Sequence, residues 1–355
     1  MKGLSFLQKA VYVVNIPFAF ILLISYLSNF INPSIFAWFG IIGLGFPVWV
    51  IINLFFVVFW LVSLKKQIFL SVFCLLIGFN HIQSVVKFKS RNKAFSPEES
   101  RLRVMSYNIQ YFQLFEGNSV AIAKGIRETV LGEDPDILCI QEYFKYKNMP
   151  KLNFRYKHIV YTKGDHGLAI YSKQKIINSG KEDFPDENNA YNKIIWADIL
   201  LSNKDTIRII NTHLRSIGLD QSKLKELRSA DLSQEELEKQ KKLVIKPLLS
   251  AYKVRGHQAR ILGNFISESP YSVVFCGDLN DPPGSYSYRK VKSQLDDCFV
   301  ESGKGFATTV PTFHKYKAPL RIDHVMCSPY FTPYNYEVLK KEYSDHFPVV
   351  VDLKY

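Results

Sequence analysis

Ser272-Val273-Val274-Phe275-Cys276-Gly277-Asp278-Leu279-Asn280 is the stretch from which the rest of the chain becomes readable. Its first five residues have the β-branched, aromatic composition of a short buried strand, and Gly277 and Asp278 break that strand into a turn. An apolar strand therefore delivers a carboxylate and a carboxamide at its end. Five other stretches do the same: Met105-Ser106-Tyr107-Asn108, Ile140-Gln141-Glu142, Asn211-Thr212-His213-Leu214, Arg321-Ile322-Asp323-His324 and Ser344-Asp345-His346-Phe347-Pro348. Any one of these is ordinary, because a polar residue at a strand end usually caps backbone groups. Together they supply carboxylates, carboxamides and two histidines, an inventory suited to a hard divalent cation and a phosphate. Oxygen donors select Mg²⁺ or Mn²⁺, whereas zinc favours histidine and thiolate. Cys139 and Cys276 lie inside apolar runs and read as core residues.

Working outward, strands are expected at 103–109, 136–141, 156–161, 168–172, 194–201, 207–214, 272–276, 322–327, 337–339 and 349–353. Helices are expected at 119–132 and in at least two pieces across 233–266, where Ser233-Gln234-Glu235-Glu236 has capping-box spacing. So many strands among few helices favour an α+β two-sheet sandwich over a doubly wound parallel sheet. At 47% hydrophobic and 14% aromatic the chain is too apolar to be disordered, and five cysteines in 355 residues exclude a small disulfide-stapled scaffold.

Before the sandwich the composition changes completely. Ala10 through Leu64 contains no Asp, Glu, Lys or Arg, and after Lys65 and Lys66 another uncharged run extends from Gln67 to Val86. About 20 apolar residues cross a bilayer, so three transmembrane helices are expected, at 10–31, 43–64 and 68–86. The expected organisation is a membrane anchor at 1–90, a polar linker at 91–100 and a catalytic domain at 101–355. Much of the formal +13 charge belongs to residues 1–94, where Lys2, Lys9, Lys65, Lys66, Lys87, Lys89, Arg91 and Lys93 face no acid at all. Cations at that position suit lipid headgroups, so the basic balance is a poor argument for nucleic acid. Lys2, Lys9, Lys65 and Lys66 point to a cytoplasmic amino terminus and an extracytoplasmic large domain. Lys87 to Lys93 argue the reverse.

The six motifs, in this order and spacing, resemble the endonuclease/exonuclease/phosphatase superfamily of metal-dependent phosphoesterases, over about residues 101–355. The most specific are Gly277-Asp278-Leu279-Asn280 and Ser344-Asp345-His346. That resemblance implies a four-layer αββα sandwich of deoxyribonuclease I type. It also implies metal ligands at Glu142, Asn108 and Asp345, and Asp278 as the carboxylate that orients or deprotonates water. Asn280 would hold Asp278 and a phosphate oxygen. His213 and His346 would contact the phosphate, with Asp323 fixing the His346 tautomer. An acidic partner for His213 is open between Asp165 and Asp183, and His324 stands where relatives often carry tyrosine. The expectation is a membrane-anchored, Mg²⁺-dependent phosphoester hydrolase (Mn²⁺ being possible) whose partners are the lipid bilayer and a phosphoester substrate. A lipid headgroup, a small phosphorylated metabolite and nucleic acid compete as that substrate. The alternatives are a membrane-tethered nuclease acting on DNA or RNA, and a catalytically silent binding protein of the same fold.

Overall fold

A computed structural model describes the chain except for residues 1–2, 113–118, 146–150, 163, 185–191, 218–237, 239–240 and 311–319. The Ser233 capping box therefore lies outside the described residues. Two compact units emerge. One joins Met1–Ser84 with Ser216–His257 and Pro283–Arg289; the other joins Val85–Arg215 with Gln258–Pro282 and Lys290–Tyr355.

The first unit is helical. Helix α1, Phe6–Leu27, opens with a capping box in which Ser5 and Gln8 satisfy each other's backbone amides. It is the one straight helix among the described residues that is long and apolar enough to cross a membrane. The two further spans expected from composition are broken. Helix α2, Trp38–Leu44, meets α3, Phe46–Val62, at 52°, and α4, Ile68–Ile77, meets α5, Phe79–Val85, at 66°. Pro47 cannot donate the amide that would continue α2, so the chain turns at Gly45. Hydropathy, being an average, does not register that bend. Polar side chains join the helices: Asn15 donates to Ser71 Oγ at 2.8 Å and accepts from Trp60 Nε1 at 3.1 Å. Lys65 Nζ donates to Gly3 O at 3.0 Å, so the amino terminus and the α3–α4 turn share one end of this unit. Later residues join it too, with Leu248 and Tyr252 packing on Ala37. Their segment is polar in sequence, which is why composition placed them elsewhere.

The second unit is a two-sheet sandwich. Its strands are β1 Arg101–Asn108, β2 Ile137–Phe144, β3 Tyr156–Tyr161, β4 His166–Ser172, β5 Ile176–Asp183, β6 Lys193–Leu200, β7 Thr206–His213, β8 Ser272–Asp278, β9 Asp296–Asp297, β10 Asp323–Cys327, β11 Thr332–Val338 and β12 Val349–Lys354. One sheet runs β11-β12-β1-β2-β4-β3 and the other β5-β6-β7-β8-β10-β9. Helix α6, Ser119–Glu133, covers the first sheet. Helices α7, Lys246–Ser267, α8, Tyr286–Lys292, and α9, Cys298–Ser302, follow later in the chain. Strand alternation sets the layers. Val104, Ile137 and Cys139 point between the sheets with Val274, Cys276 and Val325, while Met105, Leu138 and Ile140 point to the α6 side. Strand β5 escapes a hydrophobicity reading because Asn178, Ser179, Lys181, Glu182 and Asp183 leave it half-exposed at the sheet edge.

Residues 91–100, expected to be a linker, lie along the sandwich. Arg91 N donates to Ser302 O at 3.1 Å, and Asn335 exchanges side-chain hydrogen bonds with the backbone of Lys93 at 2.8 and 2.7 Å. A polar composition said loop, and it is one, but backbone groups of Arg91, Lys93 and Ser100 are bound to the sandwich.

Candidate active site

Each sheet has one parallel pair at its centre, β1 with β2 and β7 with β8. Parallel strands finish on the same side, so Asn108 and Glu142 emerge from one sheet, and His213 and Asp278 from the other, along a single edge. Strand β10 runs antiparallel to β8 with Asp323 opposite Asp278. Strand β12 runs antiparallel to β1, so Asp345 and His346, which precede it, arrive at that edge as well. Topology alone thus gathers the six motifs.

Local backbone features aim the side chains. The register of β2 against β4 shifts between Ile140 and Tyr143, and Glu142 inside that bulge has φ +49°. A bulge with a left-handed residue turns a side chain out of the regular pleat. Asn280 has φ +51°, which asparagine tolerates better than most residues. Gly277 lies opposite Thr212, where an added Cβ would stand 2.9 Å from Thr212 O, so only glycine lets β8 approach β7 this closely. One residue behind the edge the sheets are stitched together. Gln141 Nε2 donates to Asn211 Oδ1 at 2.7 Å, and Asn211 Nδ2 donates to Ile140 O and Ala169 O at 2.9 and 3.0 Å. Both side chains are fully buried.

The polar groups form one network. Asn108 Nδ2 donates to Glu142 Oε1 at 3.2 Å and to Asp278 Oδ2 at 3.1 Å, while Asn108 Oδ1 accepts from Gln110 N at 3.0 Å. Asn108 therefore braces two carboxylates with its nitrogen, whereas a metal-ligand role would require its oxygen. Asp278 Oδ1 accepts from the backbone amide of Asn280 at 2.7 Å. The Asn280 side chain, expected on Asp278, instead donates to Leu214 O at 3.0 Å and faces His213 Nε2 at 3.0 Å. Because Leu214 O can only accept, the Asn280 amide nitrogen must face it. Asp165 and Asp183 do not serve His213. Asp183 pairs with Lys193 and Lys181, and the acids that face His213 Nε2 are Glu142 and Asp278, each at 3.6 Å.

His346 Nδ1 lies 2.8 Å from Asp323 Oδ2 and 3.8 Å from Asp278 Oδ2, while its Nε2 lies 3.9 Å from Asp345 Oδ1. Burial disfavours its charged form, but the Asp323 and Asp278 carboxylates outweigh that and push the imidazole up to about 10. Burial, with the charge of Asp323 added, raises the Asp278 carboxyl, the direction suited to a group that takes a proton near neutral pH. Ser344 Oγ donates to Asn108 O at 2.7 Å and accepts from His346 N at 3.2 Å, joining two motifs that lie far apart in sequence. Behind the site Arg321 is paired with Asp297 at 2.7 and 3.2 Å and donates to His324 Nδ1 at 3.1 Å. His324 Nε2 consequently carries the proton and donates to Asp281 O at 3.1 Å. Burial and the Arg321 charge lower His324 to about 3, so it is neutral.

A family model described as the endonuclease/exonuclease/phosphatase family matches residues 105–346. The chain belongs to this family. It is a hydrolase of the phosphoesterase type, and enzymes of the endonuclease/exonuclease/phosphatase family generally depend on a divalent metal. A second model, described only as a domain of unknown function, matches residues 8–85. Among curated proteins the chain is 28% identical over 130 residues to a DNA-(apurinic or apyrimidinic site) endonuclease of Dictyostelium discoideum, spanning 34% of this chain and 32% of that relative. Among solved structures it is similar to D. rerio TDP2 complexed with a single-strand DNA product (TM-score 0.55, 17% identity, 72% of this chain and 100% of that one). It is also similar to an endonuclease/exonuclease/phosphatase family protein of Bacteroides thetaiotaomicron (TM-score 0.53, 20% identity, 73% and 99%). At these identities the structural likeness speaks for the fold.

The donor set fits a hard divalent cation. Oxygen ligands dominate the edge, and the four cysteines of the sandwich are buried away from it in the core. Two sets of ligands compete. Asp278, Asp323 and His346 offer ligand atoms within 4.8 Å of one another. However, the Nδ1 of His346 and Oδ2 of Asp323 are engaged with each other as a hydrogen bond, and a protonated Nδ1 cannot hold a metal. Glu142, braced by Asn108 Nδ2 at 3.2 Å, and Asp345, with Oδ1 3.9 Å from His346 Nε2, stand at the same edge and form the other set.

Proposed function

We propose that the protein is a membrane-anchored, Mg²⁺-dependent phosphoester hydrolase, with Mn²⁺ as the other cation its oxygen ligands suit. The observation that carries this reading is the convergence of two carboxylate–histidine pairs on one sheet edge, His213 beside Glu142 and His346 beside Asp323, with Asp278 3.6–3.8 Å from both rings. The organisation proposed with it is an anchor over 1–90 and a catalytic sandwich over 101–355. The α2–α3 and α4–α5 pairs would act as two bent spans beside α1. The contact of Lys65 with Gly3 supports putting the amino-terminal lysines at one membrane face, and the positive-inside rule makes that face cytoplasmic and the sandwich extracytoplasmic.

The cation, held by Glu142 and Asp345 with Asn108 beside them, would neutralise phosphate charge and polarise the P–O bond. Asp278 orients the attacking water and takes its proton, its own carboxylate being aimed by Asn280 N and Asn108 Nδ2. His346, held charged and in one orientation by Asp323, presents Nε2–H to a phosphoryl oxygen and stabilises the charge that develops there. His213 and Asn280 supply a second contact to the phosphate from the opposite sheet.

Lipid headgroups or small phosphoesters are the substrates we favour, because anchoring raises the concentration of the site relative to the bilayer. The relatives named above give a nuclease reading its specific support. A panel of sphingomyelin, phosphatidylinositol phosphates, bis(4-nitrophenyl) phosphate, plasmid DNA and single-stranded RNA, assayed with full-length protein and Mg²⁺, separates the two. Hydrolysis of nucleic acid alone would reverse our preference. No hydrolysis of any of them, with Mn²⁺ also tried, would leave the silent binding protein as the surviving reading.

Anchoring has its own expected result. The full chain should stay in the membrane fraction through high salt and carbonate washes and enter solution only with detergent. Recovery in the supernatant without detergent would dismiss the anchor.

A further inference from the structure

Thr309 has no place in any of the six motifs, yet it is hydrogen-bonded to Asp323 and to Phe347, the residue after His346. Its side chain is fully buried. Its hydroxyl oxygen accepts from two successive amides, Ile322 N at 3.1 Å and Asp323 N at 3.2 Å. Both lone pairs are thereby filled, and the hydroxyl proton is left to point toward Leu320 O at 3.5 Å. The backbone of Thr309 does the complementary work. Its carbonyl accepts from Phe347 N at 2.7 Å, one residue past His346, and its amide donates to Leu320 O at 3.0 Å.

We infer that Thr309 is a positioning residue for the reaction: it clamps the segment carrying Asp323 to the segment carrying His346. The contact between Asp323 Oδ2 and His346 Nδ1 joins a strand start to a loop 23 residues away, with no backbone hydrogen bond directly between those two residues. A buried carboxylate and imidazole ring stay paired in one orientation only while their separation stays near hydrogen-bond length, so something must fix both backbones. Thr309 is bound at once to Asp323 N and to Phe347 N, the amide next to His346. A threonine, with one hydroxyl able to accept twice and donate once, meets this demand. Valine has the same shape and leaves Ile322 N and Asp323 N without their acceptor.

This inference rests on the hydrolase reading for its rate measurements and is independent of it for its spectroscopic one. Full-length protein in detergent micelles, with bis(4-nitrophenyl) phosphate and Mg²⁺, should lose roughly 10–100-fold in kcat on Thr309→Val, the range seen when an outer partner of a site residue is removed. KM and the half-saturating Mg²⁺ concentration should not move. Thr309→Ser, which keeps the hydroxyl, should restore kcat. In a His346→Ala background Thr309→Val should cost nothing more, whereas a residue that merely supports the fold would cost the same in both backgrounds. If Thr309→Val does not fold, Thr309→Ala removes the hydroxyl without placing a methyl against the two amides and carries the same test. Independently of turnover, the downfield proton resonance of His346 Nδ1–H, assigned by its loss in His346→Ala, should disappear in Thr309→Val and return in Thr309→Ser. An inactive wild type whose resonance still depends on Thr309 would sink the hydrolase reading and leave the clamp standing. An active wild type with kcat and resonance indifferent to Thr309→Val would overturn the clamp.

Discussion

Asp278→Asn is expected to lower kcat by roughly 10²–10⁴-fold, the span that a positioned general base supplies. The change is nearly isosteric, so its effect comes from charge and from hydrogen-bond inventory. Asp278 accepts with both oxygens, from Asn280 N on one and Asn108 Nδ2 on the other. An amide has a single acceptor oxygen, so the variant must leave one of these donors facing an NH₂ group. The buried mismatch should cost about 1–3 kcal/mol of stability, a loss visible as a lower Tm with an unchanged far-ultraviolet spectrum. Turnover at saturating Mg²⁺ is the deciding measurement. Activity within a few-fold of wild type would mean that water is activated by another group, and Asp278 would have to be read as scaffolding.

Asp323→Asn and His346→Ala are each expected to remove most of the turnover, and the double variant should be scarcely worse than His346→Ala alone. Residues that act as one unit lose their function once, so their effects do not multiply. Multiplicative losses would separate the pair. The pH dependence carries a sign that can be worked out. His346 stands near 10 in the folded protein against about 6.5 for a free imidazole. A raised imidazole contributes stability fully below the unfolded value, and that contribution is lost as pH rises from about 6.5 through 10. In metal-free protein Tm should therefore fall over that window. Asp323→Asn removes the larger of the charges that raise His346, so the fall should still begin near 6.5 but end at lower pH and be smaller. His346→Ala should abolish it. A wild-type Tm that is flat, or that climbs across this window, would contradict the ionised pair.

The two electrostatic predictions share a cause. The edge concentrates Glu142, Asp278, Asp323 and Asp345 around two rings, and desolvation makes each carboxylate dependent on its neighbours. Asn108 is central because it satisfies Glu142 and Asp278 with a single NH₂ group. Removing it as Asn108→Asp would put a further negative charge between two others. Its oxygen is already committed to Gln110 N, which makes bracing the simpler account of its place here.

Local sequence by itself determined the strand ends, the acids, amides and histidines they deliver, and the apolar block before them. Those features repeat at the two-residue period of a strand or accumulate over the length of a bilayer span, so neighbouring residues suffice to read them. Helix α6, starting at Ser119, and the core positions of Cys139 and Cys276 follow from the same periodicities. Tertiary structure alone decided the rest. The bend at Gly78 is invisible to an averaged hydropathy. The edge strand β5 carries too little apolar surface to announce itself. The direction of the Asn108 amide depends on Asp278, 170 positions away, and the Gln141–Asn211 stitch and the Ser344–Asn108 contact join residues 70 and 236 apart. Thr309 sits in no motif because its role is to accept from backbone amides, which every residue possesses and no spacing reveals. Such groups acquire a function only when two sheets close on each other and exclude water, leaving each buried donor one available acceptor.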